Sequence, residues 1–164
     1  MRVLLLLGVA VLTVAACGKS PGERLAEKAL SAATGQEVEV SKDGAEVTFK
    51  TDKGEMKIAG GDDATLPNDF PKDVYLPSGY KVESSMQMPG ALVVSLAAPG
   101  QVSSLFADAS KQMQAEGWKQ TMAMQQSGET QMLAFEKEQR SAMVSFDADD
   151  GDTVKVSLQL TRKE

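Results

Sequence analysis

The chain has 164 residues, with 17 Lys and Arg against 23 Asp and Glu, a formal charge of −6, one cysteine and no histidine. A surface of that sign repels phosphate backbones and anionic headgroups, which disfavours nucleic-acid binding. The absence of histidine removes the commonest general base, the Ser-His and Cys-His pairs, and the commonest metal ligand together.

Met1 and Arg2 form a short basic start, and Val3 to Val14 is almost wholly apolar. This run of about twelve residues is short of the roughly 20 that a helix needs to cross a bilayer, so it reads as a removable signal peptide, residues 1–16. Val14-Ala15-Ala16-Cys17 has the form of a lipobox, which places cleavage between Ala16 and Cys17. The competing reading is an ordinary secretory signal with Cys17 as a plain thiol. Cys17 is the only cysteine, and a lone thiol in an oxidising compartment is a liability that thioether lipidation removes. The segment resembles those of bacterial lipoproteins, which implies a diacylglyceryl group on the Cys17 sulfur and often a further acyl chain on the new amino terminus. At about 0.8 kcal/mol per buried methylene, each chain supplies on the order of 10 kcal/mol, so two or three make the membrane a permanent partner. Gly18 is not the aspartate that favours inner-membrane retention in enteric bacteria. The resemblance therefore implies the periplasmic face of the outer membrane where a cell has one, with residues 17–20 as the tether.

Residues 21–60 form the next module. Ser20-Pro21-Gly22-Glu23 reads as a capping box with proline at the first helical position. Leu25, Ala26, Ala29, Leu30 and Ala33 then recur at helical spacing, and Gly35 is a left-handed stop. Three alternating segments follow, carrying Val38 and Val40, Val47 and Phe49, and Met56 and Ile58, with turns at Asp43-Gly44 and Lys53-Gly54. They predict a three-stranded β-meander, near the lower limit for a core of its own.

Residues 61–79 are rich in Gly, Asp and Pro, with prolines at 67, 71 and 77, and read as an ordered extended strap. The run from Leu66 through Pro71-Lys72-Asp73-Val74 to Gly79, followed by a strand pair, a helix ending in Gly117-Trp118 and more strands, resembles a secreted bacterial domain of unknown function. The resemblance covers residues 66–160 and implies no activity and no catalytic or binding residue.

Residues 80–164 alternate clearly. Tyr80, Val82, Met86 and Met88 are expected on one face of a strand, with Leu92, Val94 and Leu96 continuing it after a turn at Pro89-Gly90. Val102, Leu105, Phe106, Ala109 and Met113 make a helical stripe ending at Gly117, after which Trp118 should fold back onto Met113 as core. Strands follow with inward Met122 and Met124, Leu133 and Phe135, Val144 and Phe146, and Val154 to Leu160, with turns at Ser127-Gly128, near Gln139-Arg140 and at Asp150-Gly151. The expected fold class is α+β. It comprises an antiparallel sheet of about six strands with a helix on one face, preceded by the short helix and the separate meander. One helix is narrower than six strands, so either the amino-terminal helix shares the covering or an apolar groove stays open.

Chemical motifs mostly fail on context. Ser78-Gly79-Tyr80-Lys81 has the spacing of penicillin-recognising enzymes, but it sits in a turn leading to a strand rather than at a helix start. The acidic run from Asp147 to Asp152 breaks the register of a calcium loop, and Leu158 stands where an EF-hand needs glutamate. Met86, Met88, Met122 and Met124 form two Met-x-Met pairs, and soft thioethers suit Cu(I). With Trp118 nearby they faintly resemble the sites of small periplasmic copper chaperones, though those also use histidine. The plainer reading places all four in the core as gap-fillers. The sequence thus points to a non-catalytic envelope lipoprotein that binds an envelope protein or has a structural role, without cofactor or metal. The alternative is a ligand-binding lipoprotein, taking Cu(I) at the methionine pairs or an apolar molecule in a groove.

Overall fold

The computed structural model describes residues 20–41, 44–126 and 128–163. The signal segment and Cys17 therefore lie outside the described residues, as do Asp43 and Ser127 of two expected turns. Helix α1, Pro21–Thr34, starts with the expected capping box: Ser20 Oγ accepts from the Glu23 N–H, and the Glu23 carboxylate accepts from the Ser20 N–H. It ends at Gly35, whose φ of 70° is left-handed.

The strands are β1 Glu37–Val40, β2 Glu46–Thr51, β3 Gly54–Gly60, β4 Lys81–Met88 and β5 Ala91–Pro99, then, after helix α2 Val102–Ala115, β6 Lys119–Gln125, β7 Thr130–Lys137, β8 Arg140–Ala148 and β9 Thr153–Arg162. All pairs are antiparallel in one nine-stranded sheet of order β1-β2-β3-β4-β5-β9-β8-β7-β6. This corrects the expected α+β class with a six-stranded sheet and a separate meander. The protein is mostly β, because β3 pairs with β4 through Lys57↔Gln87 to Gly60↔Ser84 and makes the meander part of the main sheet. A third strand left unpaired would expose a row of backbone donors and acceptors, and β4 satisfies them.

Helix α2 carries the chain from β5 to the far edge strand β6, and the last three strands return until β9 pairs with β5. Its stripe of Val102, Leu105, Phe106, Ala109 and Met113 is buried against Leu133, Phe135, Val144, Phe146 and their neighbours. The helix closes with the Trp118 N–H on the Met113 carbonyl at 2.9 Å and the Gly117 N–H on that of Gln114 at 3.0 Å, while Gly117 supplies the positive φ of 85°. Trp118 is thereby turned into the core, where it is 3% exposed.

What covers the rest of this face is neither α1 nor an open groove. Val74 and Tyr75 of the strap are buried in the same core, and Leu66, Phe70 and Leu76 pack against it. The segment is a succession of turns rather than the extended strap expected: the Phe70 N–H reaches the Pro67 carbonyl at 3.0 Å and the Val74 N–H the Pro71 carbonyl at 3.3 Å, so each of these prolines opens a turn. Helix α1 instead flanks β1: Glu27 Oε1 accepts from the Val40 N–H at 2.8 Å and Ser31 Oγ from the Val38 N–H at 3.1 Å, satisfying outward donors of that edge strand. Its polar side thus faces the sheet, and Leu25 of its apolar stripe is 71% exposed.

Candidate functional site

Two bulges decide what the sheet presents to solvent. Register slips by one between Val82 and Ser84 in β4 and between Gln120 and Met122 in β6. Each adds a residue and reverses which side chains point inward. Val82 pairs with Leu96 on the α2 face, but beyond the bulge Ser85 pairs with Val94 there, and Met86 pairs with Val93 on the opposite face. In β6, Met122 pairs with Ala134 and Met124 with Met132, again opposite α2. The expectation that Met86, Met88, Met122 and Met124 share the core face is overturned by these slips.

The face opposite α2 carries two transverse rows. One runs Val40, Val47, Ile58, Met86 and Val93 over the first five strands, then Gln159, Met143, Ala134 and Met122 over the other four. The second runs Ser84, Ser95, Ser157 and Ser145, ending in Met132 and Met124. Neither row contains a charged residue, in a chain of which 24% is charged, but the Glu83 carboxylate at the β4 bulge reaches the serine row and accepts from Ser95 Oγ at 3.0 Å. The rows are half-buried to exposed, with Met143 at 39% and Met124 at 44%. The meander turns its polar residues the other way, toward the α2 side, where Lys50 ion-pairs with Glu37 and Glu39.

The two methionine pairs do not meet. β4 and β6 stand five positions apart in the sheet order, about 24 Å at the usual strand spacing. What comes together instead is Met124 directly opposite Met132, with Met122 and Met143 flanking Ala134 in the neighbouring row. The period-2 reading missed this group because it assumed unbroken alternation through each strand.

On the α2 side, a cleft of about 280 Å³ is lined by Trp118, Leu92, Leu160, Val74, Arg140 and Arg162 among others. Its charged wall is already engaged. The Asp73 carboxylate accepts from Arg140 Nη1 at 2.9 Å and Nη2 at 2.7 Å, and from Lys137 Nζ at 2.7 Å. The Arg140 guanidinium stacks 4.8 Å from the Trp118 ring centroid, and Lys137 also donates to the Glu116 carbonyl at the end of α2. The Arg140 guanidinium, followed by the Lys137 ammonium, holds the Asp73 carboxyl well below the ordinary carboxylate range. A carboxylate so stabilised is a poor proton shuttle near neutrality, and the group functions as a latch joining strap, helix end and the β7–β8 hairpin. A second, polar cleft of about 510 Å³ lies between the strap and β2–β4, with Lys57, Glu46, Asp63 and Asp69 on its walls.

The rejected motifs fall where their contexts placed them. Lys81 opens β4 and pairs with Asp62 at 2.9 Å, and Asp147 accepts from Thr130 Oγ1 at 2.9 Å beside the β8–β9 turn. Among the described residues no helix is long and apolar enough to cross a membrane. The chain matches no protein-family model, no curated protein and no solved structure.

Proposed function

We propose that this is a non-catalytic lipoprotein of the bacterial cell envelope, tethered through lipid on Cys17, whose sheet acts as a binding or structural accessory module. The face opposite α2 carries the binding part of this reading: its two central rows contain no charged residue, and Met143 and Met124 are 39% and 44% exposed on it, apolar side chains of the kind that contact surfaces present. The tether rests on the apolar run from Val3 and the Val14–Cys17 motif. Exposure to the periplasm from the outer membrane, where a cell has one, follows from Gly18 behind the cysteine. A photo-crosslinker at Met143 in intact cells tests the binding part: a reproducible protein adduct supports it, and solvent-quenched probe alone refutes it.

A second reading, a ligand-binding envelope lipoprotein, has one observation in its favour. The thioethers of Met122, Met124, Met132 and Met143 lie on three neighbouring strands of the open face, a donor set suited to Cu(I). Metal titration separates it from the first reading.

A further inference from the structure

We infer that the polar cleft between the strap and β2–β4 binds a small zwitterion, a free amino acid or a short peptide with both termini unblocked. The site lies on the side of the sheet away from Met143 and goes beyond the contact surface proposed above.

Strand register lays out its floor. Glu46 of β2 stands opposite Ala59 of β3, and Ala59 opposite Ser85 of β4, while Lys57 faces Gln87 in the next row. Ala59 is the small residue of its row, so space opens above it between Glu46 and Ser85, two strand spacings or about 10 Å apart. The facing wall is the strap between Asp63 and Asp69, anchored where Gln87 Nε2 donates to Asp69 Oδ2 at 2.9 Å. The volume of about 510 Å³ is that of a small-molecule site.

Three side chains on this floor carry chemistry that the fold does not use. Ser85 lines the cleft and is 7% exposed, and among the described residues its hydroxyl has no hydrogen-bond partner. Lys57 and Glu46 are half-buried at diagonal positions of neighbouring strands, yet among the described residues neither makes an ion pair. Lys50, on the same side of the sheet, takes both Glu37 and Glu39. Polar groups sheltered from water without partners cost stability that a complementary ligand restores. An ammonium supplies what Glu46 lacks, a carboxylate supplies what Lys57 lacks, and the Ser85 hydroxyl can donate to a ligand oxygen. The diagonal positions are about 7–8 Å apart, and two extended residues span about 7 Å, so a dipeptide reaches both.

Other ligand classes fit less well. Glu46, Asp63 and Asp69 outnumber Lys57 on the walls and repel phosphates. The described lining includes no aromatic ring on which a sugar or a base could stack. Among the described residues no three carboxylates converge as a metal site requires.

Calorimetric titration of the purified full chain with dialanine tests the site, with alanine, N-acetyl-dialanine amide and spermidine as the other probes. Saturable one-to-one binding of dialanine is expected, tighter than that of alanine because of the span. Blocking both termini should weaken binding about tenfold or more, as should Lys57→Gln or Glu46→Gln alone. Ser85→Ala should weaken it about threefold or more, and circular dichroism reports whether each variant is folded. Tighter binding of alanine than of dialanine keeps the zwitterion and makes a free amino acid its source. Absence of binding of both by the folded chain overturns the site. So does spermidine binding as tightly as dialanine, which would mean an acidic surface only, or a blocked peptide that binds equally well. Dialanine binding unchanged in all three variants places the ligand elsewhere and overturns the site too. Crosslinking at Met143 reads the other side of the sheet, so the two results stand apart.

Discussion

The indole N–H of Trp118 donates to the main-chain carbonyl of Asp73 at 2.7 Å, while the carboxylate of the same Asp73 grips the guanidinium that stacks on the indole face. One residue of the strap thus holds the tryptophan twice, directly at its edge and through Arg140 at its face. Because Trp118 also closes α2, loss of either partner loosens the covering of the sheet at the same place.

Trp118→Ala is therefore expected to destabilise the protein by about 3–5 kcal/mol, the usual range for emptying an aromatic core site. Urea unfolding followed by far-ultraviolet circular dichroism measures it. A variant as stable as wild type that nevertheless loses a ligand or partner would make Trp118 a binding residue and its core role secondary.

Asp73→Asn should cost about 1.5–3 kcal/mol at neutral pH, since it removes charge-assisted hydrogen bonds and leaves Arg140 and Lys137 largely buried without their counter-ion. The folded-state pKa of Asp73 lies below its unfolded value, so the carboxylate's contribution is complete above about pH 4 and is lost as pH falls through the acid range. The stability gap between wild type and variant should narrow below pH 4, by up to about 1.4 kcal/mol per pH unit. A gap that stays constant from pH 7 to pH 2.5 would mean that the ion pairs contribute nothing.

Cys17→Ser should accumulate as an uncleaved or mislocalised precursor, because acyl transfer requires the thiol. In wild type, mass spectrometry should find the mature amino terminus at Cys17 with its acyl groups. An unmodified cysteine, or a terminus elsewhere, would leave an ordinary secreted protein.

The elements were legible in the sequence, and their arrangement was not. Capping at Ser20 and Glu23, the stripe from Val102 to Met113 and the Gly117-Trp118 close are local patterns, and each lies in the structure where its spacing put it. The single sheet was not legible, because joining β3 to β4 depends on pairing across the strap, 61–79, and Tyr80, a stretch with no period of its own. The bulges escaped because one extra residue leaves no mark in the composition of a strand while inverting everything beyond it. Two signals were present. Leu92, Val93 and Val94 are apolar on both faces of β5, and the Ser84-Ser85 doublet interrupts the alternation leading to Met86. The open face is a product of those slips, so it was invisible to any reading that kept strict alternation.

The placement of the methionines also fixes what copper should do. Met86 and Met88 lie about 24 Å from Met122 and Met124, too far for one ion to be held by both pairs. The remaining set, Met122, Met124, Met132 and Met143, offers thioethers alone, and no carboxylate stands in register beside Met124 and Met132 to offset the charge of the metal. Titration of the purified chain with buffered Cu(I) should accordingly show no saturable uptake. Trp118 fluorescence should stay constant throughout, since the indole is buried on the other side of the sheet. Replacing Met124 and Met132 by leucine should cost less than about 1.5 kcal/mol each, because the swap roughly conserves volume. One Cu(I) bound per chain and lost in that double variant would establish a metal-handling lipoprotein, with the open face as its site.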